Sequence, residues 1–127
     1  MKFLSIYKTV ESGLPPSQDE ICRLGALIEE GMKAGYLLAV EGCMPSALGA
    51  RVHRSNGNIK VTDGPFTESK EVVGGLAMIQ AKSREEAIEH VKTFLGHAAD
   101  GECELRQLCE APQAQKRRAV VEGAGPS

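Results

Sequence analysis

Two short strings, SQDE at residues 17–20 and SREE at 83–86, constrain this chain more than any other feature. Each fits the S-x-x-E capping box, in which serine and glutamate side chains satisfy backbone N–H groups that a first helical turn leaves unpaired. Behind the first, Ile21, Leu24, Leu27, Ile28 and Met32 recur at helical spacing until Gly35, which predicts a helix over 17–34 with one apolar face. Behind the second, Ala87, Ile88, Val91, Phe94 and Leu95 predict another that ends near Gly96. Helices with one apolar face need a sheet to pack on.

The segments between them supply it. Residues 2–8 (KFLSIYK), 36–42 (YLLAVEG), 72–82 (VVGGLAMIQAK) and 102–110 (ECELRQLCE) read as strands, and Gly74-Gly75 signals a bulge or a close backbone approach. Two alternating segments, 50–55 and 58–63, meet at Asn56-Gly57, the pair suited to a two-residue type I′ turn. That turn sets Val52 opposite Val61 and Ala50 opposite Asp63, so Asp63 shares a face with Ala50, Val52, Ile59 and Val61. The order β-α-β, hairpin insertion, β-α-β predicts an α+β, ferredoxin-like sandwich with both helices on one face of a mostly antiparallel sheet. Apolar side chains occur at both parities in FLSIY and LAMIQA, so the other face is apolar too. With no further helix to cover it, a homodimer joined sheet to sheet is expected. At 127 residues one domain is expected, over 1–112, followed by a tail, 113–127, that lacks periodicity and is expected to be disordered.

Composition removes several classes of function. A net charge of -2 argues against a nucleic-acid surface. No run approaches the roughly 18 apolar residues that a membrane span needs. The start, MKFLSIYKTVESG, has too short an apolar stretch for a signal peptide, which predicts a cytoplasmic protein. Cys22, Cys43, Cys103 and Cys109 form no C-x-x-C pair and carry no histidine spacing, so they read as thiols acting as small buried hydrophobes, with no metal expected. His53, His90 and His97 read as solvated. No phosphate-loop, dinucleotide or nucleophile-elbow motif occurs, and no cofactor is expected.

Asp63, in VTDGPFTESKE, is the candidate catalytic residue. It precedes Gly64-Pro65, and its oxygens can accept from the N–H of Phe66 or Thr67 to shape the turn. Alternatively, a carboxylate at the edge of an apolar face is desolvated and poised as a general base or acid. Tyr7, Glu41, Pro65 and Phe66 are the candidate pocket residues around it, and Arg51 and Lys70 are candidate anion contacts if both point to one cavity.

With EGCMPS, VTDGPFTESKEVVGG and GECELRQL standing in this order around two capped helices, the chain resembles the YCII-related family, in its branch named for D-G-P-F, over residues 1–112. The resemblance implies a bacterial cytoplasmic protein that dimerises as an α+β barrel, related in architecture to muconolactone isomerase. Some members accompany extracytoplasmic-function sigma factors or are fused to them. The wider family carries a histidine on its first helix and an aspartate in a D-P turn after its second. Residues 17–34 hold no histidine and FLGHAADGE holds no D-P, so that pair is not carried over; Leu76 also stands where an aromatic often follows the two glycines. Two functions follow: a small organic molecule bound in the barrel cleft, extending to a cofactor-free isomerase or lyase with Asp63 as base, or a non-catalytic module acting beside a sigma factor.

Overall fold

The computed structural model describes residues 1–109, and the expected tail, 113–127, lies outside them. Along the chain run β1 (Lys2–Thr9), α1 (Gln18–Ala34), β2 (Leu37–Gly42), a 3-10 turn (Ser46–Leu48), β3 (Ala50–Ser55), β4 (Asn58–Asp63), β5 (Val72–Gln80), α2 (Arg84–Leu95) and β6 (Gly101–Gln107). Both serine caps form: Ser17 Oγ accepts from the N–H of Glu20 at 3.1 Å and Ser83 Oγ from that of Glu86 at 3.1 Å. At the far end of α1, Gly35 donates its N–H to the carbonyls of Gly31 and Met32 and closes the helix. Among the described residues the return half of each box is not made. Glu86 instead lies 3.9 Å from His90 Nε2.

Four strands form one antiparallel sheet in the order β2-β5-β1-β6, an α+β arrangement compatible with a ferredoxin-like fold. β3 and β4 stand apart as a two-stranded ribbon with the expected register, Val52 facing Val61 and Ala50 facing Asp63. Asn56 (φ 50°) and Gly57 (φ 80°) both adopt the positive φ that a type I′ turn demands. The glycine pair in β5 makes the expected bulge: Tyr7 pairs with Gly75 and Lys8 with Val73, leaving Gly74 unpaired between them.

The helix-facing side of β5 tapers. Its residues shrink from Ile79 to Ala77 to Gly75, facing Phe3, Ser5 and Tyr7 of β1, so past the Phe3–Ile79 pair Tyr7 alone carries bulk. At the bulky end, Phe3, 1% exposed, packs with Ala81, Ala87 and Leu105, and Ile79 and Val91 are buried as well. At the small end no such core forms. Helix α1 packs chiefly on β2 and α2 on β6, the two outer strands, so neither closes over the middle.

The opposite side of the sheet carries Leu4, Ile6, Leu76 and Met78 on β1 and β5, with Leu76 41% exposed. An ion-paired edge borders it on β6, where Lys8 Nζ lies 2.8 Å from Glu104 Oε1 and Arg106 lies 3.2 Å from Glu104 Oε2. The Glu104 hydrogen bond and charge raise the pKa of Lys8; Lys8 and then Arg106 lower that of Glu104. The reading of the thiols needs correction. Cys22 and Cys43 are exposed, on the solvent side of α1 and in the loop after β2, and only Cys103 is partly withdrawn, with burial pushing its thiol pKa up.

Candidate functional site

The uncovered small end of the sheet is the floor of a cavity of about 880 Å³. Ser5, Tyr7, Thr9, Gly75 and Ala77 supply the floor, Leu24, Leu27 and Ile28 the α1 wall, and His90, Val91 and Phe94 the α2 wall. The loop over residues 10–16 and the loop after β2 form its mouth. The floor is held by the connection that follows α2: the Tyr7 hydroxyl donates to the carbonyl of Ala99 at 2.5 Å and Thr9 Oγ1 to that of Asp100 at 2.9 Å. The Tyr7 ring meets Phe94 edge to face at 5.3 Å between centroids. On the α2 wall, His90 stacks flat on Tyr36 at 3.8 Å with 3° between the planes. His90 was expected to be solvated, but it is half-buried and lines the cavity. Its spacing carried the signal, since position 90 is three after Ala87 and four before Phe94, in the buried stripe of α2.

A second cavity, of about 620 Å³, lies where the base of the hairpin meets the sheet, with Lys8, Ser46, Arg51, Phe66 and Val73 among its walls. Here the D-G-P-F turn explains itself. A Cβ on Gly64 would lie 1.7 Å from the carbonyl oxygen of Ser46, so only glycine lets the turn approach that backbone. The peptide bond between Gly64 and Pro65 is cis. Phe66 donates its N–H to Ser46 Oγ at 3.1 Å, and Arg51 lies over its ring, 3.9 Å from the centroid. Arg51 also pairs with Glu68 and donates to Ser69 Oγ at 2.8 Å. Ser46 is buried and gives both its Oγ–H and its N–H to the Glu11 carboxylate, each at 2.7 Å. These two bonds, the hydroxyl first, hold the Glu11 carboxyl below its ordinary value near 4.5. Glu11 therefore fastens the mouth loop of the larger cavity to the D-G-P-F turn, a tie that sequence spacing could not reveal because 35 residues separate its partners.

The predicted site residues are divided. Tyr7 and the backbone of Glu41 line the larger cavity, the Glu41 side chain standing with Leu76 on the other side of the sheet; Phe66 and Arg51 line the smaller, and Asp63, Pro65 and Lys70 neither. Asp63 keeps its predicted place on the ribbon, but every residue of β3 and β4 is exposed, so the apolar face beside it supplies no desolvation within one chain. Its side chain accepts no hydrogen bond from the described residues; the turn-shaping bonds go to Glu11 and Ser46 instead. The two candidate anion contacts are not brought to one cavity. Among the described residues no three His, Cys, Asp or Glu side chains converge on one point, and no helix is long and apolar enough to cross a membrane.

The model of the YCII-related domain matches residues 1–111. The chain belongs to the YCII-related family. A relative within reach is an uncharacterised protein of Rhizobium meliloti (strain 1021), 31% identical over 104 residues, which cover 80% of this chain and 84% of the relative. The YCII-related match spans all of the described fold, including both cavities.

Two substitutions test this geometry. Gly64→Ala should destabilise the protein by about 3 kcal/mol in urea unfolding, because the new methyl meets a backbone carbonyl that cannot swing aside; a loss under about 1 kcal/mol would contradict the close approach. Because the folded pKa of Glu11 is depressed, its stabilisation is present above the ordinary carboxylate pKa and lost as pH falls through the folded one. Glu11→Gln keeps an acceptor and removes the charge, so its melting temperature should fall below wild type at neutral pH and converge with it in acid. A gap that stays constant with pH would show that the carboxylate charge is not what holds the loop.

Proposed function

We propose that the protein binds a small organic molecule in the larger cavity, between its helices and its sheet, and works as a homodimer joined sheet to sheet. The observation that carries the first part is the cavity itself: about 880 Å³ over a floor where Ser5, Ala77 and Gly75 leave Tyr7 the one bulky side chain of the two central strands. Packed interiors rarely hold voids larger than a water molecule, and ligand pockets span roughly 300–1,000 Å³ with mainly apolar walls and a few polar groups. Ser5, Tyr36 and His90 are such groups here. The exposed apolar face of Leu4, Ile6, Leu76 and Met78, bordered by the Lys8–Glu104–Arg106 ion pairs, supports the second part. The string T-D-G-P-F-x-E-x-K-E-x-x-G-G at 62–75 supports membership of the D-G-P-F branch. A cytoplasmic location fits the unpaired thiols of Cys22, Cys43 and Cys103.

An isomerase- or lyase-type proton transfer by Asp63 would require the hairpin to be seated against a second copy, because within one chain its carboxylate faces solvent. The interaction-module reading uses the same open sheet face with a sigma factor upon it.

Binding of the neutral dye Nile red, followed by fluorescence, tests the cavity. Leu24→Trp fills the α1 wall and should weaken binding about tenfold or more with circular dichroism unchanged; unaltered affinity would move the dye, and the proposal, elsewhere. Light scattering tests the assembly: wild type should run as a dimer and Leu76→Lys as a monomer, since a lysine at the centre of an apolar interface loses its hydration without a partner. A wild-type monomer at micromolar concentration would contradict the dimer and favour the interaction module.

A further inference from the structure

The β3–β4 ribbon has an apolar face that its own chain leaves open. Ala50 faces Asp63, Val52 faces Val61 and Arg54 faces Ile59, and these six side chains share one side of the ribbon. Val52 is 69% exposed, Ile59 68% and Val61 60%. A two-stranded hairpin is at best marginally stable in water unless something packs on its apolar side. The other face, with Arg51, His53, Lys60 and Thr62, is polar and suits solvent. The two charges of the apolar face lie at its ends: Asp63 at the base and Arg54 near the Asn56-Gly57 turn, with the two valines between them. Among the described residues neither of these side chains has a hydrogen bond or an ion pair.

Negative at one end, apolar in the middle and positive at the other, this face is complementary to itself. We infer that it docks on the same face of a second copy, the two ribbons running antiparallel about a two-fold axis that passes between the Val52–Val61 pairs. A two-fold contact is made twice, so Arg54 comes level with the partner's Asp63 at one end, and Asp63 with the partner's Arg54 at the other. Val52, Val61 and Ile59 then leave water together, with the charges at the rim. A parallel arrangement is disfavoured, because it sets Arg54 level with the partner's Arg54 and Asp63 with the partner's Asp63. Two strands of six residues offer a face of about 10 by 20 Å. That is well below the roughly 800 Å² per partner of a stable interface, so this contact is weak on its own and shows at high protein concentration. It goes beyond the sheet-to-sheet contact and does not depend on it.

The test uses the full chain carrying Leu76→Lys, chosen to break the sheet contact, with NMR shifts of the ribbon amides followed from micromolar to millimolar protein. Shifts across 50–63 should move with concentration. Adding Arg54→Asp leaves both ends of the face negative and adding Asp63→Arg leaves both positive, so each variant alone should self-associate about tenfold more weakly. Their equimolar mixture should associate at least as tightly as the parent, since every pair of ends is then opposite in sign. No concentration dependence in the parent, or single variants that associate as well as it does, would overturn the inference. A mixture no better than its components would also overturn it, and would put another surface of the second copy on this face. None of these results touches the sheet reading. Dimers of the Leu76→Lys chain at micromolar concentration would sink that reading alone, the charge-swapped mixture still deciding the ribbon.

Discussion

The structure depends on a taper in β5, whose helix-facing residues shrink from Ile79 to Ala77 to Gly75. On the helix-facing side of the two central strands, Phe3 faces Ile79, Ser5 faces Ala77 and Tyr7 faces Gly75. The first pair is bulky enough to fill the space beneath the helices and anchors the core with Ala81, Ala87 and Val91. Ser5 and Ala77 are not, Gly75 leaves only the Tyr7 ring, which stands edge to face on Phe94, and the two helices, each held by an outer strand, do not fall inward to compensate. A layer normally closed by interdigitating side chains is thus closed at one end and hollow at the other. The larger cavity follows from the small side chains of Ser5, Ala77 and Gly75 beneath two helices that stay apart.

The D-G-P-F string acts one step away from this hollow. Its glycine permits a contact with the Ser46 carbonyl, its phenylalanine N–H binds the Ser46 hydroxyl, and Ser46 in turn holds Glu11 in the loop at the cavity mouth. The motif that first suggested chemistry is therefore a fastener. Its aspartate is the member with least to do inside one chain, exposed at the end of a two-stranded ribbon that stands apart from the main sheet.

What the sequence disclosed was local. Capping serines, the Asn56-Gly57 turn and the Gly74-Gly75 bulge each act over a few residues, and each appears where the spacing put it. The register of the hairpin followed from its turn, but its burial did not, because alternation says which side chains share a face and not whether anything covers that face. The expectation of a pocket around Asp63 failed to gather its members for this reason. Tyr7 and the backbone of Glu41 went to the larger cavity and Phe66 to the smaller, sorted by the order of strands in the sheet rather than by distance along the chain. His90 and Glu11 needed tertiary partners, Tyr36 and Ser46, to reveal their part.

The central claim is that the hollow end of the sheet holds a ligand, and nuclear Overhauser contacts between bound phenylbutanol and assigned methyl groups test it most directly. The account predicts contacts to Leu24, Leu27, Ile28 and Val91, on the two helical walls. Contacts confined to Leu4, Ile6 and Met78, on the opposite side of the sheet, would contradict it.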